Sequence, residues 1–144
     1  MKALTTLLVV GMFLTTVAIA DDVADVKAAF LDFYASLRSG DVDGYIQHFS
    51  ASGATAFETE GGLLSTSTLE ELRRNRQAGA SAGNNPNVRL RHMEVRVYGN
   101  TAVLTGYRVS PNDQSIARYT NVWVKEGATW KRVHRHASLL RTPQ

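Results

Sequence analysis

From Val88 to Leu139 the sequence alternates apolar and polar residues with the two-residue period of a β-strand, interrupted by short clusters of turn formers. Val88 and Leu90 share one parity, whereas Met93, Val95 and Val97 share the other, a mismatch that a β-bulge near Arg91-His92 would reconcile. Gly99-Asn100 is a two-residue hairpin signal, after which Val103, Thr105, Tyr107 and Val109 alternate with Ala102, Leu104, Gly106 and Arg108. Pro111-Asn112-Asp113 turns the chain again. A longer hairpin follows, with Ile116 to Glu126 and Thr129 to Leu139 joined at Gly127-Ala128. Strands joined this tightly pair antiparallel, because a parallel crossover needs a dozen or more residues.

The preceding part of the chain has a different period. Asp22 is placed to cap a helix in which Val23, Val26, Phe30, Phe33 and Leu37 recur at helical spacing, with Ala29 and Tyr34 beside them, up to Gly40. Asp41 can cap a shorter helix carrying Tyr45, Ile46 and Phe49. Ser50 to Ala54 reads as a break, and Phe57 to Glu60 as a short strand entering the Gly61-Gly62 turn. Ser67 and Thr68 each precede a Glu by three residues, the capping-box spacing for a third helix through Leu69 and Leu72. Ala78 to Asn87 is loop-like in composition. Helices followed by an antiparallel meander define an α+β domain. A long bent sheet packed on an amphipathic helix forms a half-open cone, whose interior is the natural place for a ligand.

The first twenty residues stand apart. Met1-Lys2 gives a positive start, Leu4 to Ile19 is apolar, and Ala18-Ile19-Ala20 is a small-x-small site followed by Asp21-Asp22. This is the order of a secretory signal peptide, so residues 1–20 are expected to be removed on export, leaving a single domain over 21–144. No later apolar run is long enough to cross a bilayer. Cysteine is absent, which excludes disulfides and thiolate chemistry, and suits a bacterial periplasm or exterior better than a disulfide-stapled eukaryotic scaffold. Eight acids oppose two bases from Asp21 to Thr68, whereas thirteen bases oppose five acids from Leu69 onward. That polarity suggests an anion-attracting cleft. No nucleic-acid-binding motif, nucleophile elbow or phosphate loop is present, so neither nucleic acid nor a cofactor is expected.

The last hairpin carries the most specific pattern. It reads Arg118-Tyr119-Thr120-Asn121-Val122-Trp123, then Trp130-Lys131-Arg132-Val133-His134-Arg135-His136-Ala137-Ser138. These Arg-x-Thr-x-x-Trp and Trp-x-x-Val-His-x-His-x-Ser segments, after the long helix and its Gly40-Asp41 break, resemble the SnoaL-like branch of the nuclear transport factor 2-like superfamily. The likeness runs from about Val23 to Leu140 and extends to the association domain of calcium/calmodulin-dependent kinase. It implies a cone-shaped, cystatin-like α+β roll, a pocket between sheet and helices, and a homodimer. Members include isomerases, dehydratases, cyclases and non-catalytic assembly modules, so function stays open. Two departures matter. Ser50 to Thr55 replaces the acidic residues that relatives often carry after the second helix, which removes a general base. Gly127-Ala128 replaces the usual Asp-Gly turn, which leaves the hairpin register open.

A two-residue turn would pair Asn121 with His134 and Tyr119 with His136, putting Arg132 on the same face. A three-residue bulged loop, which the resemblance favours, would group Tyr119, Asn121, Trp123, Val133 and Arg135, with Arg118 and Thr120 meeting His136 and His134 on the other face. The candidate ligand-binding set is therefore Tyr34, Arg118, Tyr119, Asn121, Trp123 and Arg135, the arginines taking an anion through directed paired hydrogen bonds. His134 and His136 are the candidate acid–base residues. They could chelate a metal only with a third ligand that local spacing does not supply, so no metal site is expected. Glu58 and Glu60 could serve as a base but are expected to face water at the sheet edge. The leading expectation is an exported pocket protein for a small organic anion or aromatic molecule. An isomerase, dehydratase or cyclase and an oligomerisation module are the alternatives.

Overall fold

The computed structural model describes the backbone of residues 6–59, 61–111 and 115–140, with side chains from Asp21 onward. Glu60, the Asn112-Asp113 turn and the start of the apolar N-terminal segment lie outside the described residues. Helix α1 (Thr6–Ser39) runs unbroken through Asp22, which therefore does not act as its N-cap. An N-cap must leave helical geometry, and no Pro or turn-forming cluster before Asp22 forces the chain to do so. Helix α2 (Val42–Ile46) begins as expected, with Asp41 Oδ1 accepting from the Gly44 N–H at 2.9 Å. Helix α3 (Leu69–Ser81) has the full Thr68–Glu71 capping box. It continues into the segment that reads as loop, since Ala78 and Ala80 are good helix formers.

Six strands make one sheet, in the order β2 (Ser65–Ser67), β1 (Ala54–Phe57), β6 (Thr129–Leu139), β5 (Ile116–Glu126), β4 (Thr101–Val109) and β3 (Arg89–Tyr98). Strands β3, β4, β5 and β6 form the expected meander. The β3 parity change is a real bulge between Arg91 and Glu94, where His92 has a φ of 51°. The expected Phe57–Glu60 strand is displaced: β1 is Ala54–Phe57, and β2 (Ser65–Ser67) returns antiparallel to it. Its position is set by parallel pairing with β6, Thr55 beside His134 and Phe57 beside His136, which local composition does not encode.

The hairpin adopts neither expected register in full. Gly127-Ala128 is a two-residue turn, with Glu126 opposite Thr129 and Trp123 opposite Arg132. This corrects the three-residue loop that the resemblance favoured. Gly127 alone supplies the positive φ, at 61°, as a type II′ turn requires of its first central residue. Beyond Trp123 the pairing shifts so that Val122 meets His134, leaving Val133 as the extra residue of a bulge. Asn121 then opposes Arg135, and Tyr119 opposes Ala137.

The core lies between α1 and the inner sheet face. Val26, Phe30 and Phe33 of α1 meet Leu104, Tyr119, Trp123 and Trp130. Phe30 sits 5.0 Å from the Tyr34 ring, 5.3 Å from Tyr119 and 6.3 Å from Trp123, offset and edge-on geometries that suit aromatic quadrupoles.

Candidate functional site

Beside this packed region the inner face is hollow. A cavity of about 630 Å³ opens between the C-terminal end of α1, α2, α3 and the β1–β6 side of the sheet. Phe33, Tyr34, Tyr45 and Phe49 give it an aromatic wall, and Arg76, Arg108, Arg132 and Arg135 project to it. Glu58 is the only carboxylate among the described residues that line it, and no histidine is among them.

The four arginines are held differently. Arg132 is 6% exposed, with its guanidinium carbon 4.1 Å from the Phe33 ring centroid and 4.4 Å from that of Phe49. Among the described residues its Nε has no hydrogen-bond partner and no carboxylate is paired with it. Burial lowers its pKa, an effect that the nearby Tyr45 and Tyr34 oxygens oppose. Its backbone is fixed on both sides: its N–H donates to the His48 carbonyl at 2.6 Å, and its carbonyl accepts from Ser50 at 3.3 Å. Arg76, also buried, donates to the carbonyls of Leu37 and Asn84, each at 3.0 Å, and to Asn85 Oδ1. It thereby ties α3 to the end of α1 and to the loop beyond α3. Arg108 donates to Thr59 Oγ1 at 3.1 Å. Arg135 is paired with Glu58.

A buried guanidinium stacked between rings, with no counter-ion among the described residues, is costly to desolvate. Its charge and unpartnered Nε suit an anion, and the aromatic wall suits an apolar body.

The sequence candidates divide between three places. Tyr34 and Arg135 line the cavity. Tyr119, Asn121 and Trp123 share the inner face but are packed into the core at 5%, 2% and 0% exposure. Each keeps one buried polar atom without a partner, and burial pushes the Tyr119 hydroxyl pKa upward. Arg118, His134 and His136 point to the opposite face of the sheet. There Arg118 Nε donates to Ser138 Oγ at 3.1 Å, and Thr55 Oγ1 lies 2.7 Å from His134 Nδ1. Burial lowers the His134 pKa, and neighbouring His136 lowers it further. Among the described residues no three His, Asp or Glu side chains gather to hold a metal ion. No helix among them is long and apolar enough to cross a membrane.

Sequence reasoning missed Arg76, Arg108 and Arg132 as cavity residues, and Glu58 turns inward to Arg135 instead of facing water alone. A signal for Arg132 was present, since a two-residue turn places it on the Trp123 face; the bulge then adds Arg135 to that face.

A SnoaL-like domain matches residues 26–142, and the chain belongs to that family. It is similar to a DUF3225-family protein of unknown function from Pectobacterium atrosepticum, with 30% identity and a TM-score of 0.70, covering 85% of this chain and 93% of that one. A nuclear transport factor 2-like protein from Streptomyces avermitilis, whose name proposes a dehydratase, shares 19% identity at a TM-score of 0.72, covering 86% and 99%. The calcium/calmodulin-dependent kinase II hub of S. rosetta shares 26% identity at a TM-score of 0.67, covering 82% and 96%. No curated protein matches the chain. The fold is thus the α+β, nuclear transport factor 2-like and cystatin-like architecture.

Proposed function

We propose that the protein is an exported binding protein that takes a small organic carboxylate, with an apolar or aromatic body, into the cavity. Arg132 carries this reading. Its guanidinium lines a hollow of about 630 Å³, is buried, and has no carboxylate partner among the described residues. A ligand carboxylate would supply the charge and acceptors that the site lacks, while Phe33, Tyr34, Tyr45 and Phe49 enclose the body. Residues 1–20 are the proposed export signal, and the periplasm or exterior of a bacterium the proposed location. A homodimer is proposed as the working unit, in line with the hub relationship. Acid–base catalysis by His134 and His136 is less well supported, because both side chains lie across the sheet from the cavity.

Titration calorimetry with benzoate, and with benzamide as the uncharged control, tests the reading. Benzoate is expected to bind in preference to benzamide, and Arg132→Met to weaken benzoate about a hundredfold, equivalent to two charge-assisted hydrogen bonds. Equal binding of both probes, or benzoate affinity unchanged in Arg132→Met, would overturn it.

A further inference from the structure

Arg132 and Arg135 are three residues apart on β6, a spacing that puts side chains on opposite faces of a regular strand. Here both reach the cavity. The reason is the bulge at Val133: Trp123 pairs with Arg132 and Val122 with His134, so one residue is skipped and the parity reverses. Three residues of strand, shortened by a bulge, separate the two Cα positions by roughly 7–10 Å. The cavity thus carries two cationic positions on one wall.

They are not equivalent. Among the described residues Arg132 has no carboxylate partner, whereas Arg135 already holds Glu58. Glu58 directly follows the last residue of β1, and its side chain is half exposed at the pair. An ion pair that open to water is weak and exchanges readily. Its carboxylate still does two things to an incoming ligand. It engages Nη2 of Arg135, and it presents a negative charge to any second anionic group arriving there.

Resting on the carboxylate-binding reading of the same cavity, we propose that Glu58 is a specificity-determining residue. It is a tethered carboxylate that occupies the second cationic position of the β6 wall and restricts that wall to one anionic group of a ligand. Removing it converts the cavity into a site for dicarboxylates, one group on Arg132 and the other on Arg135.

Benzoate and terephthalate titrated into the wild-type protein, Glu58→Gln and Glu58→Gln/Arg135→Gln test this. The Gln variant is expected to raise terephthalate affinity at least about tenfold more than benzoate affinity, the gain from an unblocked charged pair. The double variant is expected to lose that gain. Equal improvement of both ligands in Glu58→Gln, or no change in their ratio, would overturn the proposal. The two ideas fail separately. If benzoate depends on Arg132 but the terephthalate-to-benzoate ratio ignores Glu58, only the specificity role falls. If no carboxylate binds any of the proteins, the pocket reading falls and the specificity role with it.

Discussion

The two faces of strand β5 differ more than their sequences do. Tyr119, Asn121 and Trp123 on one parity are almost fully buried, and they meet Phe30 and the rest of the α1 face. Arg118, Thr120, Val122 and Val124 on the other parity are exposed or half-buried, and among the described residues no helix lies over them. Both faces mix apolar and polar side chains, so composition alone does not separate them. The separation comes from α1, whose Val26-Phe30-Phe33 stripe can cover only one side. A residue's cost on substitution should therefore follow its parity more than its type.

The sharpest way to break that contrast is a pair of neighbouring truncations. Trp123→Ala removes a side chain with 0% exposure and is expected to destabilise by about 3–5 kcal/mol, through lost burial and the cavity left behind. Val122→Ala, one residue away but on the other face, should cost about 1 kcal/mol or less, because a half-buried valine has less contact to lose. Urea unfolding of both variants measures the difference. Similar losses would show that the outer face is as tightly engaged as the inner one.

A smaller effect is expected at Gly106, opposite the β3 bulge. A methyl group there would lie 2.5 Å from the Tyr119 hydroxyl oxygen, 2.9 Å from its ring carbon and 3.0 Å from the Arg91 carbonyl. Neither neighbour yields easily, since the tyrosine is in the core and the carbonyl belongs to the bulged strand. Gly106→Ala should cost about 1–3 kcal/mol, the usual range for overpacking. Adding Tyr119→Phe removes the nearest atom and should recover part of the loss. A melting temperature unchanged in Gly106→Ala would mean that the inner face is looser than its burial implies.

These contrasts show where the sequence was legible. The meander, the β3 bulge and the Asp41 and Thr68 caps depend on neighbours within a few residues, so periodicity and capping chemistry revealed them. The α+β class followed from helices preceding a meander, and the family pattern added the cystatin-like roll. The position of β1 was not legible, because it is fixed by parallel pairing with His134 and His136 of β6, some eighty positions away. The site was half legible for a related reason. Arg135 and Tyr34 were found from residue type and spacing, but Arg118 was grouped with them although parity sends it to the outer face. Arg132 and Arg135 both reach the cavity only because Val133 is bulged, and a bulge inside a strand has no turn residue to announce it. Arg76 and Arg108 become cavity residues through α3 and the β1–β2 segment, whose placement is tertiary.

The smallest expected effect compares the two histidines on either side of the sheet as pH falls. His48 is 7% exposed, edge-on to the rings of Phe33 and Trp123, with Asp32 Oδ2 3.0 Å from its Nε2. Burial lowers its pKa below the ordinary 6.5, and the opposing pull of Asp32 does not restore it. His134 is lowered too, by burial and by His136, but it is more open to water. In both cases the unfolded chain binds the proton more readily than the folded one. Stability from the neutral rings is therefore complete above about pH 6.5 and is lost as pH falls from there through the folded-state values. Melting temperatures between pH 8 and pH 5 should fall with acid, and His48→Gln should flatten that fall more than His134→Gln, because the more buried ring has more to lose on charging. A larger flattening from His134→Gln would place the stronger acid sensitivity on the outer face, and would mean that some cover there excludes water from His134 as fully as α1 and Trp123 exclude it from His48.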